Sequence, residues 1–330
     1  MREGAVLITG ASGYLGSLVV RRLASGAERP AKIVATDVRD TPPSERLEGV
    51  HYRRLDVTDV ADFGLIAEEG IDTIVHLAAI VTPPPGDSRA IQHAVDVVGT
   101  RNLLAACARY KVKRLVYTSS GAAYGYHADA PDRLKEDEPL RGNEVFAYAH
   151  NKRLVEEMLA EARESCPALE QLVFRVSTIL GKSVSNQITA MFERRLVLGL
   201  WGARSPFCFI LDEDAADCLA YAVFDGPPGI YNLTGDGVMT LREIAAAMKR
   251  RYVSLPTMLV RAALSIAKAL KKGAYGPEQT LFLRYRPVMD NARIKGELGW
   301  APSHTSRQAF EVYRRSRSEG GLMVEHAHGA

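Results

Sequence analysis

A chain of 330 residues is long enough for a large core and for two lobes, since single domains most often hold about 100–150 residues. Hydrophobic residues make up 47% and charged residues 25%, a balance that points away from disorder and from a membrane protein. The net charge of +3, from 42 basic and 39 acidic side chains, is too small and too evenly spread to make nucleic acid an expected partner.

The chain opens on "MREGAVLITGASG", a strand-like run without the charged, apolar and small-residue regions of a signal peptide. No stretch of 18 or more apolar residues follows; the nearest, "TMLVRAALSIAKALKK", is interrupted by Arg261 and Lys268. A soluble cytoplasmic protein is therefore expected. Cys107, Cys166, Cys208 and Cys218 stand far apart, with no CxxC pair and no histidine at metal-ligand spacing. They are expected as buried free thiols, and no metal is expected.

Strand-like runs recur at 5–9, 32–36, 73–78, 114–120 and 171–176, with a further strand ending near Asp56. Between them lie helical patterns: "YLGSLVVRRLAS" after the first strand, Ile91 to Tyr110, and Tyr148 to Arg163. Strands nearly continuous in apolar residues are covered on both faces. The fold class is α/β, a Rossmann-type doubly wound parallel sheet with a smaller C-terminal substrate-binding lobe. Residues 1–180 are expected to form the dinucleotide-binding domain, with later segments around 207–235 returning to it. Residues 181–330 are expected to form the substrate lobe. The runs 81–87 and 126–144 read as loops at carboxyl ends of strands, where such sheets bind ligands. Thr240 and Glu243 fit a capping box. The tail "SEGGLMVEHAHGA" is expected to fray, with its histidines solvated.

In "VLITGASGYLGSLVVRRL" glycines stand at 10, 13 and 16 between a predicted strand and a predicted helix. Gly10 can make the tight turn, Gly13 can let backbone N–H groups approach a pyrophosphate, and Gly16 can let the helix pack closely. Asp37 ends the second strand, where a carboxylate accepts hydrogen bonds from ribose hydroxyls and repels a 2′-phosphate. NAD is thus favoured over NADP, with Arg39 two residues on as the opposing signal. Asp56 can reach the adenine or cap the following helix.

Tyr148 and Lys152 in "YAHNK" stand four apart on a predicted helix and so share a face. A tyrosine of ordinary pKa, about 10, is a poor base at neutral pH, and a nearby ammonium would improve it. Such a pair could take a proton from an alcohol while hydride leaves the same carbon.

"TGASGYLG", "HLAA", "VVGTRNLL", "TSSGAAYG", "YAHNK" and "LGWAP" together resemble the extended short-chain dehydrogenase/reductases, the NAD-dependent epimerase/dehydratase group. The resemblance implies that Ser120 bonds the substrate oxygen, that Tyr148 is the general acid/base, and that Lys152 lowers the tyrosine pKa and holds the nicotinamide ribose. It implies an NAD site along Gly10, Ser12, Gly13, Tyr14, Leu15 and Gly16, then Asp37, Asp56 and Val57, then Leu77, Ala78 and Ala79, and finally Val176. Thr82, Ala122, Asn186 and Phe207 would face a small-molecule substrate. A homodimer through the helices at 91–110 and 148–163 is the family-like expectation.

Departures narrow the substrate. The family's dehydratases carry an Asp-Glu pair where this chain has Gly121 and Ala122, so a 4,6-dehydratase is not expected. An arginine that grips a diphosphate in nucleotide-sugar members falls on Phe207, with Arg204 or Arg194 as possible substitutes. Asp96 stands where the family usually has asparagine. The basic, amphipathic run from Ser254 is similar to regions of 3β-hydroxysteroid dehydrogenase-like relatives that close over an apolar substrate or touch a bilayer; a core or dimer-packing helix is the other reading. The leading reading is NAD-dependent hydride transfer at a secondary carbinol of a sugar or sugar nucleotide, as epimerase or as dehydrogenase. A hydroxysteroid-type or ketone/aldehyde reductase and a non-catalytic NAD-sensing protein are the alternatives.

Overall fold

The structure is a computed structural model that describes residues 2–82, 89–270 and 276–327. Its centre is a seven-stranded parallel sheet. Six of the strands are β1 (Arg2–Thr9), β2 (Pro30–Asp37), β3 (His51–Arg54), β4 (Thr73–His76), β5 (Arg114–Ser120) and β6 (Glu170–Val176). They lie in the order β3-β2-β1-β4-β5-β6, and the strand Gly229–Leu233 completes the edge beside β6. The order reverses between β1 and β4, and the crevice at that switch point is where a doubly wound sheet takes its ligand.

Both faces are buried because both carry apolar side chains. Val6, Ile8, Ile33 and Val116 face α1 (Tyr14–Ser25) and the helix Asp212–Phe224, while Leu7, Val34, Ile74 and Leu115 face the helices Gly99–Tyr110 and Ala147–Ser165. The strand expected over 73–78 stops at His76. The Leu77 and Ala78 N–H groups turn to the Thr9 hydroxyl (3.2 and 3.4 Å), which takes the chain off the ladder and into the crevice.

The single helix expected over 91–110 is interrupted. Arg89–His93 passes into a π-helical turn, Ala94–Val98, before Gly99–Tyr110 resumes. Asp96 lies in this turn and is buried, its carboxylate accepting the Ile80 N–H at 3.0 Å. Such turns often mark functional sites.

The second lobe packs small sheets against short helices. Phe209–Leu211 pairs with Thr178–Leu180, Arg251–Leu255 with Leu196–Leu200, and Met239–Thr240 with Pro206–Phe207. Thr240 caps the helix Leu241–Ala247, with Glu243 closing the capping box as the sequence indicates. The core of the lobe is aromatic: Phe192, Phe207, Phe209, Phe310 and Tyr313. The last helix spans Ser306–Ala327, and His328 of the tail lies outside the described residues. So do residues 83–87 of the expected 81–87 loop and 271–275 of the amphipathic run. Among the described residues no helix is long and apolar enough to cross a membrane, and no cluster of His, Cys, Asp and Glu could hold a metal.

Candidate active site

A single cavity of about 1410 Å³ runs from the glycine loop across the carboxyl end of the sheet and under the second lobe. Pockets for one small ligand usually measure about 300–1,000 Å³, so there is room here for a dinucleotide and a second molecule.

The glycine loop forms one end. Gly10 has φ +67°, and a Cβ there would lie 2.7 Å from the Ala78 nitrogen. A Cβ on Gly16 would lie 2.1 Å from the Gly10 carbonyl oxygen, so this glycine seats α1 on its own loop. No side chain caps α1, which leaves its first N–H groups and positive dipole end open toward the cavity. The cradle therefore suits a pyrophosphate. Tyr14 donates a hydrogen bond to Asp212, at the start of the helix that packs beside α1.

Asp37, at the end of β2, accepts the Ser12 N–H and the Arg39 N–H, each at 3.1 Å, and the Arg39 guanidinium stands 3.6 Å away. Arg39 itself lines the cavity. Asp56 is occupied by its own turn: one carboxylate oxygen takes both the Thr58 N–H (2.9 Å) and hydroxyl (2.7 Å), which hold its pKa below the ordinary value. The helix cap expected of it is not formed, since the helical turn that follows, Ala61–Gly64, has no side-chain cap. Val57 is buried against Gly99. Asp37, Asp56, Val57, Ser12 and Ala78 are not on the cavity wall, whereas Gly10, Gly13, Tyr14, Leu15, Gly16, Leu77, Ala79 and Val176 are.

Ser120, Tyr148 and Lys152 meet at the middle of the cavity. Ser120 ends β5 and its hydroxyl oxygen accepts the Ala122 N–H (3.2 Å), while the Tyr148 phenol lies close enough for Ser120 to act on it. Lys152 is 3% exposed; it donates to the Tyr117 hydroxyl (3.0 Å) and the Thr118 carbonyl (2.8 Å), and its Nζ stands 5.8 Å from the Tyr148 ring centre. The expected depression of the Tyr148 pKa by Lys152 is not what this geometry gives. Burial drives the phenol well above its ordinary value, Ser120 opposes that, and the buried Asp96 adds to it. Burial also lowers the Lys152 pKa, against the attraction of Asp96 and Glu156.

Thr82 and Ala122 line the cavity near Tyr148, Thr82 at its exposed rim. Asn186 lines it too, but its side-chain oxygen caps the helix Gln187–Glu193 by accepting the Ile188 and Thr189 N–H groups (2.9 and 3.0 Å).

Phe207, expected to face substrate, is not on the cavity wall. It is fully buried in the aromatic core, and its neighbour Cys208 reaches the cavity in its place. Neither substitute expected for the missing arginine fills that role from the wall's interior: Arg194 is exposed at the rim and Arg204 lies off the wall. The arginine in that region is Arg286. Its guanidinium lies over Phe207 (4.0 Å) and Phe282 (4.4 Å) and donates to the Thr178 hydroxyl at 3.3 Å. Nε and Nη1 have no hydrogen-bond partner among the described residues.

The helix Thr257–Ala269 closes the far end of the cavity with Val260 and Leu264, while Met258, Leu259 and Ile266 remain exposed.

Residues 6–234 match the model of the NAD dependent epimerase/dehydratase family, and the chain belongs to that family. Its members are NAD-dependent, and the open amides of the glycine cradle fit that cofactor. An uncharacterized protein of Mycobacterium tuberculosis, Rv0501, is 27% identical over 97% of this chain and 86% of its own length. Among solved structures, a UDP-glucose 4-epimerase of Thermotoga maritima with UDP-glucose aligns with a TM-score of 0.74 at 16% identity, covering 97% of this chain and 99% of its own. A short-chain dehydrogenase/reductase superfamily protein of Agrobacterium tumefaciens with bound NAD aligns with a TM-score of 0.74 at 20% identity, covering 98% of this chain and all of its own.

Proposed function

We propose that the protein oxidises and reduces a secondary carbinol of a sugar nucleotide, with NAD held along the glycine loop and Asp37 accepting its adenosine ribose hydroxyls. The single observation that carries this reading is that one cavity brings together the glycine cradle, Ser120 and Tyr148, and a buried arginine with unpartnered donors. Bound NAD supplies the hydride acceptor. Tyr148 takes the carbinol proton on oxidation and returns it on reduction; its burial favours the protonated form, which suits the returning step. Ser120 orients the reacting oxygen. Lys152, fixed by Tyr117 and Thr118, brings a positive charge to the nicotinamide side.

Arg286 supports an anionic substrate. A buried guanidinium with unmet N–H donors is costly, and a diphosphate satisfies such donors in pairs. The T. maritima neighbour binds UDP-glucose, which has that group. Dehydration is disfavoured, because a Cβ at Gly121 would sit 2.7 Å from the Met289 sulfur, so no acid fits there without repacking.

A second reading, an apolar ketone or hydroxysteroid-type substrate, draws support from the wall of Leu196, Leu198, Val260 and Leu264. Incubating the protein with UDP-hexoses and NAD and resolving the products by NMR tests the first against the second. A C4 or other carbinol epimer, or NADH formation, supports sugar-nucleotide chemistry; turnover of hydrophobic ketones alone would replace it. Denaturing the purified protein and identifying the released nucleotide separates an epimerase, which retains NAD, from a dehydrogenase, which exchanges it.

A further inference from the structure

Tyr126 follows Gly125, whose φ of +80° and lack of a side chain turn the chain sharply after the short helix Gly121–Tyr124. A Cβ on Gly125 would lie 2.4 Å from the Arg141 carbonyl oxygen. The turn is pinned by the Tyr126 N–H, which donates to Asn143 Oδ1 at 2.8 Å.

The ring is then wedged between two others. It meets Phe146 edge to face at 5.1 Å and 80°, and Phe282 at 5.3 Å and 70°. Phe146 lies two residues before Tyr148, and Phe282 lies four residues before Arg286. The wedge therefore joins the neighbourhood of the acid/base to that of the buried cation, one from each lobe. Tyr126 is 8% exposed and lines the cavity. The charge of Arg286 acts on its phenol, and the phenol in turn acts on Tyr148.

The aromatic contacts need only a ring, and phenylalanine would supply them equally. Among the described residues the hydroxyl makes no hydrogen bond, yet it is not one of the side-chain atoms shut away without a partner, so it opens on the cavity. The geometry points to Tyr126 as a specificity-determining residue whose hydroxyl hydrogen-bonds the glycosyl group of the substrate, between Tyr148 and Arg286. This rests on the sugar-nucleotide reading above.

Calorimetric titration of NAD-loaded wild type and Tyr126→Phe with UDP and with UDP-glucose tests it. The substitution should weaken UDP-glucose binding by roughly 3- to 10-fold, the worth of one hydrogen bond, and leave UDP binding within about twofold. The melting temperature and NAD affinity should not move, because the ring contacts remain. Equal UDP-glucose affinity in the two proteins, or an equal loss for both ligands, would overturn the assignment while leaving the sugar-nucleotide reading in place. Wild type that fails to bind UDP-glucose would overturn that reading and this assignment with it.

Discussion

The guanidinium of Arg286 lies 4.0 Å from the ring centre of Phe207, so a buried aromatic side chain forms the floor beneath a cation that faces the cavity. The Arg286 side chain lines the cavity, with Nε and Nη1 buried and without a hydrogen-bond partner among the described residues. Arg286→Met should therefore weaken UDP-glucose binding by roughly 10- to 100-fold, as for hydrogen bonds to a charged group. NAD binding should change by less than about twofold. Paired calorimetric titrations would show whether the loss is confined to the substrate.

Phe207 also shows why part of the site was hidden from sequence. Pro206–Phe207 is a strand of two residues, and in a strand neighbouring side chains point to opposite faces. A reading displaced by one position exchanges Phe207, in the core, for Cys208, on the cavity. Arg286 arrives from a loop far along the chain, and no local period marks it. By contrast, Gly10, Gly13 and Gly16 and the Tyr148–Lys152 pair were legible, because their geometry is set within one or two helical turns. The main sheet was legible for a similar reason: its strands are short apolar runs punctuated by helices. The π turn at Ala94–Val98 was not, since it depends on Asp96 reaching the distant Ile80 N–H.

Gly16→Ala would place a methyl group 2.1 Å from the Gly10 carbonyl oxygen, backbone that cannot easily yield. A destabilisation of about 1–3 kcal/mol is expected, as in other overpacked sites. NAD affinity should fall as well, because the distortion lies in the pyrophosphate cradle. Thermal melting with and without added NAD would separate the two effects.

Asp37→Ala removes the carboxylate that closes the end of β2 beside Arg39. The exposed Arg39 would then be free to meet a 2′-phosphate. NADP affinity should rise relative to NAD, read as the ratio of dissociation constants. An unchanged ratio would remove Asp37 from the ribose contact.

His76 is buried on β4 between the Thr9 hydroxyl (2.7 Å) and the Thr100 hydroxyl (3.1 Å). Burial, with some repulsion from Lys152, pulls its pKa from 6.5 down to about 3. The unfolded chain therefore binds a proton that the folded chain refuses between these values. The contribution of neutral His76 is fully present above about pH 6.5 and is lost progressively as the pH falls toward 3. Melting temperatures should decline over that interval in wild type and decline less steeply in His76→Gln. Parallel curves would assign the acid instability to other groups.

The most direct trial of the hydride-transfer mechanism is turnover of UDP-hexose by Tyr148→Phe, measured beside its affinity for NAD. In the proposed mechanism the phenol oxygen carries the proton, and its removal should slow turnover by about 10²–10⁴-fold while NAD affinity stays within about twofold. Undiminished turnover in that variant would contradict the mechanism.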